Sequence, residues 1–192
     1  MKQTQQGMGF VEVLVALLLL AVAVLGFSGM QMTAVKATDE SLLRSRALSV
    51  MRGGAEMLRA NPSEITAFKN ALNNTPATAP GNVSDTERSK QKTDIQTKLN
   101  KCKPVYDKQK NQNPTACSFK EMAERDANAL RKVALDNEIA IRMDNCPGTT
   151  KMQCMIASWG ETAPVIGTNN DACMVKSGSY RPGATCFVME AY

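Results

Sequence analysis

The hydrophobic pattern changes period along the chain, and each change marks an element. From Val13 to Val35 there are 23 residues without a charge, about 35 Å of helix at roughly 1.5 Å per residue, which is enough to cross a bilayer. One carboxylate, Glu12, stands at the head of that run. From Thr38 to Ala60 the apolar positions thin to a stripe, with Leu43, Ala47, Val50, Met51, Gly54 and Leu58 spaced by threes and fours as on one helix face. Arg44, Arg52, Glu56 and Arg59 fall largely off the stripe, and Arg52 with Glu56 is spaced for an i, i+4 ion pair. The two stretches together predict one helix from about Met8 to Ala60. Asn61-Pro62 stops it, because proline disfavours the α region in the residue before it. Gly53-Gly54 fits either a kink or a place of close packing.

Residues 63–116 are polar and broken by Pro76, Pro80, Gly81, Pro104 and Pro114. "SEITAFKNALNN" predicts a short helix with Ser63 as N-cap and Ile65, Phe68 and Leu72 buried. Asn82 to Asn113 is charged and poor in large apolar residues, so it reads as a long exposed loop with one polar helix around Thr93 to Leu99. The sequon at Asn82 is a three-residue match that chance explains. Periodicity returns at Cys117, where Ser118-Phe119-Lys120-Glu121 fits a capping box opening a helix with Phe119, Met122, Ala123, Leu130 and Val133 on one side. After the turn "NCPG", "KMQCMIASWG" and "TCFVMEAY" alternate as strands, with weaker strands around Ala140 to Asp144 and Met174 to Lys176. The expected fold class is therefore α+β: a long N-terminal hydrophobic helix packed on a small antiparallel sheet.

Composition narrows the chemistry. A chain of 192 residues with 43% hydrophobic content holds one globular domain and an anchor. The formal net charge of +5 is spread along the chain, and aromatics are 5%, so neither a basic block nor a base-stacking platform points to nucleic acid. There is no His, which removes the usual general base, the commonest metal ligand and the Ser/His and Cys/His nucleophile arrangements. Asp126 lies near the apolar stripe of its helix, but a lone carboxylate is more often a partner for a local Arg such as Arg125 or for backbone amides than a catalytic acid. No catalytic residue and no cofactor is expected.

All six cysteines, Cys102, Cys117, Cys146, Cys154, Cys173 and Cys186, lie in the C-terminal half. An even set on one side of a membrane anchor reads as three disulfides in an oxidising space. A zinc site fits poorly, since no CxxC pair exists and no His could help, and no metal is expected. Pairing of sequence neighbours is the simplest of the possible connectivities. Only "MKQTQQG" precedes the apolar run and no A-x-A-like site follows it, so an ordinary secretory signal does not fit. Lys2 would stay on the cytoplasmic side, and the chain after Lys36 would be exported.

Gly7, Met8, Gly9, Phe10, Val11 and Glu12, leading into "VLVALLLLAVAVLG", resemble the signal of type IV pilins and the related pseudopilins. The resemblance implies that a prepilin peptidase cuts after Gly7 and that Met8 becomes the methylated N-terminus. Glu12 would then be the fifth mature residue; a cut after Gly9 would make it the third and break the family spacing. In the family, the fifth-residue Glu pairs with the N-terminal amine of a neighbouring subunit. Such a pair offsets the desolvation each ion would suffer alone inside apolar packing. An interfacial Glu snorkelling to headgroups is the bland alternative. The implied domains are a leader at 1–7, a membrane and filament-core half-helix at 8–35, an amphipathic half at 36–62, and a periplasmic or extracellular globular domain at 63–192. Many major pilins carry a Pro inside the membrane helix; this segment has only Gly26 and Gly29.

"AEMLRANP", "MAERDANAL" and "CMIASWGET" extend the resemblance to PilV-type minor pilins. That implies a low-abundance subunit of the type IV pilus that joins other minor pilins in priming assembly at or near the tip, in contact with the major pilin, after residence in the inner membrane. The segment from Cys173 to Cys186 resembles the disulfide-bounded C-terminal loop that pilins use for surface contacts. Within the superfamily the alternative is a minor pseudopilin of type II secretion; outside it, a single-pass exported binding protein or adhesin, which leaves Gly7 and Glu12 without a role. An enzyme fits least.

Overall fold

The structure, a computed structural model, describes residues 9–102 and 117–191. Helix α1 runs Phe10–Ala60, α2 Ile65–Leu72, α3 Asp85–Lys101 and α4 Phe119–Asp136; the strands are β1 Ala140–Asn145, β2 Gln153–Ser158, β3 Ala163–Ile166, β4 Ala172–Met174 and β5 Cys186–Glu190. The fold is α+β, with a long apolar N-terminal helix and a small antiparallel sheet ordered β1-β2-β5. Two compact units divide the chain within α1, Met1–Leu42 and Leu43–Tyr192.

In the second unit the stripe of α1 is the buried one: Ala47, Val50, Met51, Gly54, Ala55 and Leu58. They share one core with Phe68 and Leu72 of α2, Ala127 and Leu130 of α4, and Met143, Met155 and Ala157 of the sheet. Gly54 is a point of close packing. A Cβ there would come within 2.7 Å of Leu130 Cδ2 and Met155 Cε, whereas one at Gly53 would meet nothing within 4 Å. Glu56 pairs with Arg59 one turn on, in place of the expected Arg52. Arg44 stacks its guanidinium 5.0 Å from the Phe187 ring centre, and Phe187 lies 5.6 Å from Trp159.

The sheet is antiparallel throughout, with Ile141, Ala157 and Phe187 in one row and Met143, Met155 and Met189 in the next. These rows belong to the helix-facing core. On alternate positions Ile156 joins a second cluster with Cys173, Met174 and Cys186, so the central strand β2 is buried on both faces. A two-stranded parallel ladder, β3 with β4, lies outside the expected antiparallel set; β3 has no counterpart in the sequence reading, and β4 ends where the expected strand at Met174 to Lys176 begins. The outer edge of β1 is occupied by Asn73, whose side chain donates to Met143 O at 2.8 Å and accepts from Met143 N at 2.9 Å. Arg142 donates to the carbonyls of Asn73 and Thr75, and burial lowers its pKa against the opposing charge of Asp144. A polar bracket of this kind blocks edge-to-edge pairing.

Three expectations are corrected. Ser63 does not cap α2: it sits inside a short 3₁₀ turn, Pro62–Glu64, and α2 starts without a side-chain cap. Asn82 onward is not a loop, because α3 covers seventeen residues and contains the expected Thr93–Leu99 helix; the rest of that stretch falls partly outside the described residues. The capping box at Ser118 and Glu121 is formed, but the buried side of α4 is Ala123, Ala127, Asn128, Leu130, Arg131 and Ala134. Phe119, Met122 and Val133 are exposed.

Candidate functional site

Gly7 and Met8 lie outside the described residues. Glu12 lies in the first turn of α1, where its amide donates to Gly9 O at 2.9 Å and its side chain is exposed. A carboxylate there complements the partial positive charge of a helix N-terminus. The run that follows is long and apolar enough to cross a membrane, and none of its side chains is buried. Phe10, Leu18 and Leu25, for example, are 79%, 64% and 73% exposed. An apolar surface of this extent requires lipid or other helices around it.

Three hydroxyls along this helix are satisfied within it. Ser28, Thr33 and Thr38 donate their hydroxyls to the carbonyls four residues back, on Val24, Gly29 and Ala34. Such back-bonding leaves no hydroxyl donor unmet in hydrocarbon. Gly26, Gly29, Thr33, Ala34 and Ala37 line one shallow side of the helix, and small residues there permit close approach of another helix.

In the second unit, disulfides join Cys102 to Cys117, Cys146 to Cys154 and Cys173 to Cys186. The last closes a loop whose exposed positions include Ser177, Ser179 and Tyr180. It is braced from inside: Tyr180 Oη accepts from Val188 N at 3.1 Å, Arg181 N donates to Cys173 O at 3.1 Å, and the Arg181 guanidinium donates to Thr168 O. Gly178 and Gly183 take the positive φ its turns require.

Asp126 lies half-buried on α4, and burial pushes its carboxyl up while Arg125 offsets part of the shift. No hydrogen bond or ion pair to it is found among the described residues, and no group of three or more potential metal ligands assembles among them. The polar connection that sequence reasoning missed is between α3 and α4. Arg131, 3% exposed, donates to Thr75 Oγ1 at 3.2 Å and to Asn128 Oδ1 at 2.8 Å, and stands 3.5 Å from Asp94. The sequence reading placed Asp94 in a short polar helix, Thr93 to Leu99, within an exposed stretch, and nothing in the spacing of that stretch pointed to a partner on α4.

The family model for Tt1218-like type IV pilins, described as type IV pilin Tt1218, matches residues 29–128. The match takes in the end of the apolar run, the amphipathic half of α1, α2, α3 and the first half of α4. It covers more than half of the chain, and the protein belongs to this type IV pilin family. Neither the curated proteins nor the solved structures contain a significant match. The family is in general one of structural subunits.

Proposed function

We propose that the protein is a minor pilin of the type IV pilus, acting with other minor pilins in a complex that primes assembly and sits at or near the tip. On this reading, prepilin peptidase cuts after Gly7 at the cytoplasmic face of the inner membrane, Met8 is methylated, and Glu12 pairs with the N-terminal amine of an adjacent subunit. The membrane holds the subunit until the major pilin carries it outward, in support of twitching, adhesion or DNA uptake. The observation that carries the reading is Glu12 in the first turn of a helix whose next 23 residues are exposed and uncharged, in a chain of the type IV pilin family. A lone carboxylate in that position is explained by a cationic partner that assembly brings to it.

The test is mass spectrometry of sheared, washed surface filaments. Peptides of this chain, including one that begins at methylated Met8, are expected in the filament fraction at low abundance relative to the major pilin. The same methylated peptide confined to the envelope fraction would move the protein to a secretion pseudopilin, and an unprocessed N-terminus would remove the pilin reading of Gly7.

A further inference from the structure

Between α3, α4 and the segment 75–83 lies a cavity of about 30 Å³, walled by Pro76, Val83, Ile95, Leu135 and Ile139 among other residues. Three side chains bring nitrogen donors to this apolar surround: Arg88, Gln91 and Arg131. Arg88 has its terminal nitrogens occupied, one donating to Pro80 O at 3.4 Å and the other 3.8 Å from Glu138 Oε1. Its Nε is buried without a partner, and so is Nε2 of Gln91, one helical turn further along the same face of α3.

The imbalance is chemical as well as numerical. The buried unpartnered side-chain atoms lining this cavity are both donors, Arg88 Nε and Gln91 Nε2. A water molecule could accept from both but would bring two protons that need acceptors in turn. A monatomic anion brings none. Two guanidiniums favour negative charge here, and Glu138 and Asp94 offset part of it. Glu138 is largely exposed and Asp94 is engaged by Lys98 and Arg131, and neither accepts a hydrogen bond from the two orphaned donors. Roughly one probe sphere of space suffices for a single small occupant, so the cavity has room for one ion of halide size and not for a carboxylate with an organic body.

We propose that this cavity is a binding site for a chloride-sized monovalent anion, held by Arg88 Nε and Gln91 Nε2 of α3 where that helix faces α4. The site is separate from the filament-forming helix and does not depend on the assembly role. Its effect would be to stiffen the exported domain according to the halide content of the medium.

Chlorine NMR on the full chain in detergent micelles tests this. Wild type is expected to show a saturable line broadening of chloride that bromide displaces, and a higher thermal midpoint in sodium chloride than in sodium gluconate at equal ionic strength. Gln91→Leu should weaken the binding about tenfold or more, the loss of one hydrogen bond to a charged group. Gln91→Glu, nearly isosteric, should abolish it by placing a carboxylate where the anion sits. Circular dichroism confirms that each variant is folded. Absence of a saturable component in the wild type, or unchanged broadening in folded Gln91→Glu, would overturn the proposal in favour of an ordered water.

Discussion

Single residues carry conformational information that spacing alone did not disclose. Glu138 follows α4 with φ of 59°, in the left-handed region. Ile139 N donates to Ala134 O at 2.9 Å and Glu138 N to Leu135 O at 3.3 Å, the two bonds of a Schellman ending. Glycine is the usual residue at that position, because a Cβ there crowds the backbone. Against this strain Glu138 sets only a 3.8 Å contact with Arg88, and that pair is mostly exposed on the Glu138 side. Glu138→Gly is therefore expected to stabilise the domain by about 0.5–1 kcal/mol, seen as a higher urea midpoint with unchanged slope. An equal or lower midpoint would mean that the Arg88 contact outweighs the backbone. Gly54 is the opposite case. Its spacing was visible in the stripe, but the choice between kink and close packing needed Leu130 and Met155, which arrive from distant parts of the chain.

Whole elements were legible where burial imposed a period. The stripe from Leu43 to Leu58 and the alternation in β2 were both readable because one face meets the core. Helix α3 was legible only over Thr93 to Leu99, because Ile95 is its one fully buried side chain. Its order comes from polar chemistry: Ser84 accepts from Glu87 N at the start, and Lys98 and Lys101 stand in the last turn. Across to α4, Lys92 lies 3.7 Å from Asp136 and Arg131 lies 3.5 Å from Asp94. In α4 the large apolar residues suggested one side, whereas small alanines beside Asn128 and Arg131 mark the packed side.

The same cross-bridges give an acid dependence. Burial opposes ionisation of Asp94, but Lys98 and Arg131 outweigh it and hold its carboxyl below the ordinary value. Lys132 and Lys92 likewise lower Asp136, against a smaller effect of burial. For both groups the folded pKa lies below the unfolded one, so their stabilisation is complete above the ordinary carboxylate pKa near 3.8 and is lost as pH falls through the folded values. Asp126 acts in reverse, since its raised pKa means that its favourable contribution disappears as pH rises. Thermal unfolding followed from pH 7 down through the carboxylate range is expected to show a falling midpoint, with a shallower fall in Asp94→Asn. An unchanged acid limb in that variant would place the acid sensitivity elsewhere.

At the scale of the whole molecule, the chain separates a packed unit from an exposed apolar helix that the proposed function assigns to assembly. Both core clusters, all three disulfides and the sheet belong to Leu43–Tyr192, while Gly9 to Leu42 buries no side chain. The assembling half was the more legible in sequence, because twenty-three uncharged residues behind one carboxylate need no tertiary context to stand out. Under the proposed pairing, the partner of that carboxylate belongs to another subunit, and the sequence of one chain does not contain it. Glu12→Ala isolates the two roles. Glu12 lies outside both core clusters, so the variant should keep the thermal midpoint, the disulfides and processing after Gly7. Within a filament it would leave the neighbouring amine desolvated and unpaired, a loss of about 3–5 kcal/mol for a buried ion pair. Recovery of the chain in sheared filaments should therefore fall at least tenfold relative to wild type when normalised to membrane-held protein, with Glu12→Gln intermediate because its amide still accepts a hydrogen bond. Wild-type recovery of processed Glu12→Ala would rule out the pairing and leave Glu12 as a headgroup-level anchor.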